Sequence, residues 1–212
     1  MSNRRPHLDR RGAEPAEPSA LGRVGVAVVA VLAAGNGIGW ALTPYLLVNR
    51  PLLLVVLAPE LALLVLIGAQ VALAPMLLVG VPRRILGMGA AFLVGRAYGA
   101  PAVEWVAGRS PRARRVLESL ERAVRRLGAP VLFLIPSSAV ALVAGSLGVG
   151  ARAAAIASTV GSAVLLLLLH HAGEAVTEWV ETLKDLLAGH LVVATVVSVS
   201  LAVLYEGWHR RG

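Results

Sequence analysis

Glu60 is the only charged residue between Pro51 and Pro82, and it follows a proline in the middle of an apolar run, Ala58-Pro59-Glu60. An ionised carboxylate in hydrocarbon is costly, so such a group faces a cavity, pairs with a cation or takes up a proton. Glu60 reads either as a proton-linked or cation-contacting group, or as a solvated interfacial residue beside Arg83. A second proline break, Ile135-Pro136-Ser137-Ser138, interrupts an uncharged run from Leu127 to Gly150. There the hydroxyls of Ser137 and Ser138 either coordinate an anionic headgroup beside freed backbone amides or simply satisfy the broken backbone. Arg96 stands inside the apolar segment after the first break. Its planar fork suits phosphate, or its long side chain snorkels to the interface near Glu104.

Other reactive groups carry less. His170, His171, Glu174 and Glu178 have helical spacings that admit a metal but match no recognised zinc pattern, and they read as interfacial. Ser146 or Ser162 with His170 lacks the strained nucleophile motif of a hydrolase. Gly35-Asn36-Gly37-Ile38-Gly39 lies within a long apolar run and not after a strand, so it is not a dinucleotide loop. With no cysteine there is no thiolate chemistry and no disulfide framework. No enzymatic activity, cofactor or metal is expected.

The elements that must position these residues belong to a membrane protein. Hydrophobic residues form 57% of the 212 positions and charged residues 15%, against about 25% charged in an ordinary soluble domain. The net charge of +8 is not a nucleic-acid signal, because most of the arginines lie just outside apolar runs, where they orient helices and meet anionic headgroups. No nucleic-acid partner is expected.

Each apolar run is broken after about eight residues, and a half-helix of that length rises only about 12 Å, short of a hydrocarbon core of about 30 Å. Both segments therefore read as re-entrant hairpins or discontinuous helices, a pattern that marks a midplane site in transporters built from inverted repeats. With Pro59 set on Pro136, Gly68 falls on Gly145. The expected architecture is an all-α integral membrane protein, an inverted repeat of re-entrant hairpin plus transmembrane helix with flanking N- and C-terminal transmembrane helices.

Residues 1–20 read as a disordered cytoplasmic tail, 21–208 as the membrane domain and 209–212 as a basic end. The uncharged run Val24–Val48 exceeds a signal-peptide core of about 7–15 residues. Spanning helices are expected at about 22–48, 85–104, 152–172 and 186–206, with hairpins at 51–81 and 130–150. Gly35 and Gly39 in the first span have the spacing that lets another helix approach closely. Arg109 to Arg126 form a basic segment of net charge +5, with apolar positions Val116, Leu117, Leu120, Val124 and Leu127 at helical spacing. It reads as an amphipathic helix on the membrane surface against anionic headgroups. A short acidic amphipathic stretch is expected at 174–185. Charge counting places both termini in the cytoplasm of a multi-pass protein of the inner (plasma) membrane, and leaves Arg50, Arg83 and Arg84 as exceptions on the outer side.

The order of hairpin, Phe92-Leu93-Val94-Gly95-Arg96-Ala97-Tyr98-Gly99, Arg125-Arg126-Leu127-Gly128, Val131-Leu132-Phe133-Leu134-Ile135-Pro136 and Ala144-Gly145 resembles the DedA family, also called the VTT or SNARE-associated domain. The resemblance covers about 50–173. It implies two opposed re-entrant hairpins and a role in membrane homeostasis, moving phospholipids or lipid-phosphate carriers across the bilayer. Members typically carry an arginine on each side of the second-hairpin proline; Phe133 and Ala139 occupy those places here, and Met88 stands where an acidic residue is usual. Under this reading Glu60, Arg96, Ser137 and Ser138 contact substrate, and Pro59, Pro136, Gly68 and Gly145 shape the hairpins. A non-transporting scaffold that binds partner membrane proteins, and a small-ion or metabolite transporter, are the other readings. Homo-oligomerisation is open.

Overall fold

Proline decides where the short helices stop. A residue before proline is sterically driven out of the α region, and Ala58 (φ −130°, ψ 77°) and Ile135 (φ −129°, ψ 76°) take almost the same extended conformation. Helix α3 (Pro51–Leu57) and helix α8 (Pro130–Leu134) end at these residues, and each opens on a proline whose missing N–H costs nothing at that position. After the breaks the chain resumes as α4 (Leu61–Gly68) and α9 (Ser138–Ser146). A short turn then leads in each case into a long helix, α5 (Leu73–Tyr98) or α10 (Ala151–Glu174).

The structure is a computed structural model and describes residues 20–190, 192–193 and 195–201. Among them there is no strand. The remaining helices are α1 (Ala20–Ala41), α2 (Thr43–Asn49), α6 (Ala100–Ala107), α7 (Pro111–Leu127) and α11 (Thr177–Gly189). Residues 192–193 and 195–201 are also helical. The expected tail before Ala20, the end of the expected last span and the basic end at 209–212 lie outside the described residues. Helices α1, α5 and α10 are long and apolar enough to cross a membrane. Only 11% of the most apolar window of α1 is buried, which suits a helix whose outer faces meet lipid.

Three expected boundaries are corrected. The first apolar unit does not run as one hairpin to 81: it ends at Gly68, and residues 73–81 belong to α5. The second span accordingly covers 73–98 and not 85–104, with Pro82 inside it. A mid-helix proline removes one backbone donor, which membrane helices tolerate because neighbours satisfy the freed group. The first span stops at Ala41, and α2 starts at Thr43 after a turn at Leu42, with Pro44 in its first turn. The second unit and third span fall close to their expected bounds.

The short and long helices pack crosswise: α9 lies on α5, the most extensive helix pair among the described residues, and α4 lies on α10. Glycine makes both crossings. A Cβ on Gly145 would overlap the Phe92 carbonyl oxygen, and one on Gly95 would overlap the Leu142 carbonyl oxygen. On the other side, a Cβ on Gly68 would fall 2.8 Å from the Cα of His170. Gly39 likewise admits Leu57 and Ala58, so the expected close approach on the first span is made by the end of α3.

Two apolar clusters flank these crossings. One gathers Leu117, Val124, Val131, Leu132 and Val140–Ala144 around α9, and the other gathers Leu54, Val55, Leu63, Leu64 and Ile67 around α3 and α4. The basic helix α7 is amphipathic as expected, but Leu117 and Val124 are buried against the protein's own α9 cluster. Its apolar face is thus partly covered by protein, and its arginines point outward; Val116 and Leu127 are exposed.

Candidate functional site

Both proline breaks open onto one cavity of about 620 Å³. Pro59, Glu60 and Leu61 reach it from the first break, and Leu134 to Ser138 from the second. Its walls are Val29, Leu32, Ala33 and Asn36 of α1, Leu165 of α10, and Arg83, Arg84, Gly87, Met88 and Ala91 of α5. The N-termini of α4 and α9 therefore start at the cavity, and helix N-termini carry partial positive charge.

Arg83 and Arg84 supply the full positive charges. They occupy the middle of α5, about 15 Å along it from Leu73, and are not loop residues on the outer side. Arg83 Nε donates to the Val56 carbonyl at 2.5 Å, and Arg84 Nη2 donates to the Pro136 carbonyl. Glu60 is exposed at the N-cap of α4, and its carboxylate attracts the Arg84 guanidinium through space. Arg83 is bonded to backbone and not to Glu60, so the expected pairing of those two is not what holds either residue.

The remaining expected site residues divide. Ser137 lines the cavity and also caps α9, its Oγ accepting from the Val140 N–H at 3.3 Å, so it satisfies broken backbone in the way the sequence allowed. Ser138 lines the cavity at the first turn of α9. Pro59 and Pro136 set the breaks, while Gly68 and Gly145 are crossing residues one helix away. Arg96 is exposed in the last turn of α5 and is not part of the cavity lining. The structure does not bring it to Glu60, Ser137 and Ser138.

Elsewhere, Ser162 and His170 are both buried on α10, but eight residues of helix separate them by about 12 Å, too far for a nucleophile and its base. Ser146 Oγ donates to the Val143 carbonyl at 2.9 Å. His171 Nδ1 lies 2.7 Å from Glu174 Oε2, and His170 Nε2 lies 3.5 Å from Glu174 Oε1, at the end of α10 away from the cavity.

The cavity's lining combines charged residues, Glu60, Arg83 and Arg84, with many apolar ones. Val29, Leu61, Leu134 and Ile135 border it while remaining exposed, Leu134 at 66%. No protein-family model, characterised protein or solved structure matches the chain. An arginine pair and two helix N-termini suit a phosphate-bearing group, one carboxylate offsets part of their charge, and the exposed apolar residues of the lining suit hydrocarbon attached to it.

Gly87 gives a direct test of the cavity. A Cβ there meets nothing closer than 3.5 Å, from Arg83 Nη1, and points between Leu32 and Ser138. Gly87→Leu is expected to fill the space, leave thermal stability within about 1 kcal/mol, and abolish binding of a spin-labelled lipid phosphate. Undiminished binding would remove the cavity from consideration.

Proposed function

We propose that the chain is a DedA-like membrane transporter or scramblase that passes the headgroup of a phospholipid or lipid-phosphate carrier through the cavity while the tails stay in the bilayer. In this reading α3–α4 and α8–α9 are re-entrant hairpins of an inverted repeat, entering from opposite faces of the plasma membrane, with both termini cytoplasmic. The observation that carries it is the convergence of both breaks, Arg83, Arg84 and Glu60 on one cavity. The exposed apolar residues of the lining, Val29, Leu61, Leu134 and Ile135, favour an amphiphile over a small ion, because an ion gains nothing from apolar contacts. Helix α7 presents its outward arginines to anionic headgroups of the cytoplasmic leaflet.

The test is translocation of fluorescent phospholipids and a polyprenyl phosphate in proteoliposomes. The expected result is a rate well above that of empty liposomes, reduced about tenfold by Glu60→Gln, since loss of the carboxylate removes the counter-charge that lets a headgroup phosphate leave Arg84. Rates equal to those of empty liposomes for all lipids would overturn the transport reading and leave the scaffold.

A further inference from the structure

Two consecutive residues of α5 each hold one break. In a continuous helix the Val56 carbonyl would accept from the Glu60 N–H, but that N–H donates to the Ala58 carbonyl at 2.8 Å. The Pro136 carbonyl would accept from the Val140 N–H, but that N–H is taken by Ser137 Oγ. Both carbonyls are thus left without a helical donor, and in a low-dielectric setting an unsatisfied carbonyl is costly. Arg83 satisfies the first and Arg84 the second. The Arg84 Nε is buried with no hydrogen-bond partner among the described residues, so its guanidinium keeps an unused donor at the cavity wall.

We propose that Arg83 and Arg84 are positioning residues with divided labour, Arg83 fixing the first break and Arg84 the second, and that a phosphate group in the cavity competes with the two carbonyls for the same N–H donors. The divided labour stands on the two hydrogen bonds alone; the competition rests on the headgroup reading. A phosphate oxygen is itself charged and can take two parallel N–H bonds from a guanidinium, so it outcompetes a neutral carbonyl for these donors. When it takes the donors, the carbonyls lose their partners and the breaks loosen. Because both arginines belong to one helix, one bound group reaches both breaks together.

Hydrogen–deuterium exchange of the full chain in phosphatidylcholine nanodiscs, followed in peptides covering 54–64 and 131–141, tests both parts. Arg83→Gln is expected to speed exchange about tenfold or more in the first peptide only, and Arg84→Gln in the second only, as loss of a hydrogen bond from a charged donor implies. Acceleration of both peptides by either variant, or of neither, overturns the divided labour. The wild-type chain tests the competition without any substitution. Added phosphatidic acid is expected to speed exchange in both peptides, whereas inorganic phosphate in the buffer is not. A response to inorganic phosphate alone overturns the lipid headgroup in favour of a soluble anion while keeping the competition for the two donors. No response to either overturns the competition and keeps the divided labour if the variants separate.

Discussion

Gly145→Val is expected to destabilise the protein by about 3 kcal/mol or more, at the upper end of what overpacking costs. Position 145 faces the Phe92 carbonyl on α5, and the Arg96 backbone N lies 2.9 Å from where a Cβ would sit. Relief by a side-chain rotation is not available, because the obstacles are backbone. The whole α9 helix would have to lift from α5, opening Val140, Ala141 and Ala144, which are all but fully buried. Gly89→Ala is the matched control: a Cβ there has open space around it, and alanine gains up to about 1 kcal/mol over glycine within a helix. Thermal unfolding in detergent followed by tryptophan fluorescence separates the two. Equal melting temperatures for Gly145→Val and the native chain would mean that α5 and α9 do not cross at these glycines.

Arg84→Ala is expected to reduce lipid translocation about ten- to a hundredfold and to lower stability by about 1.5–3 kcal/mol, the range for a hydrogen bond involving a charged group. The loss comes from the Pro136 carbonyl, which then has no donor. Glu60 adds little to it, since an exposed carboxylate that loses a through-space partner is solvated instead. Arg84→Lys keeps the charge but gives up the planar fork, so it should recover stability more than transport. Stability and transport measured on the same purified samples check this. Full transport by Arg84→Ala in stable protein would remove the arginine from the path of the headgroup.

What the sequence made legible was mostly written in proline. The restriction on Ala58 and Ile135 acts within two residues, so both breaks were placed from local chemistry alone. The alignment of Gly68 with Gly145 also had a physical basis, since each closes a crossing with a long helix. Arg83 and Arg84 were missed because Pro82 looked like a boundary and the pair like flanking charge. The apolar residues Leu73 to Val81 just before them were the available signal. Joined to the segment after Pro82 they make a single span with two arginines at its middle. The same shift in boundary moved Arg96 from the interior of a span to its last turn. That α7 packs on the protein was not legible, because an amphipathic stripe does not say whether lipid or a neighbouring helix covers it.

Arg84 and Gly95 are eleven residues apart on α5, which is three helical turns with only about 20° to spare. The helix therefore delivers a guanidinium to the second break and a bare backbone to α9 along one edge. Each inserted or deleted residue between them would turn one end against the other by about 100°, so that a chain keeping the arginine in the cavity would lose the crossing, and a chain keeping the crossing would aim the arginine elsewhere. Substitutions in this stretch can be absorbed one at a time, but its length cannot drift.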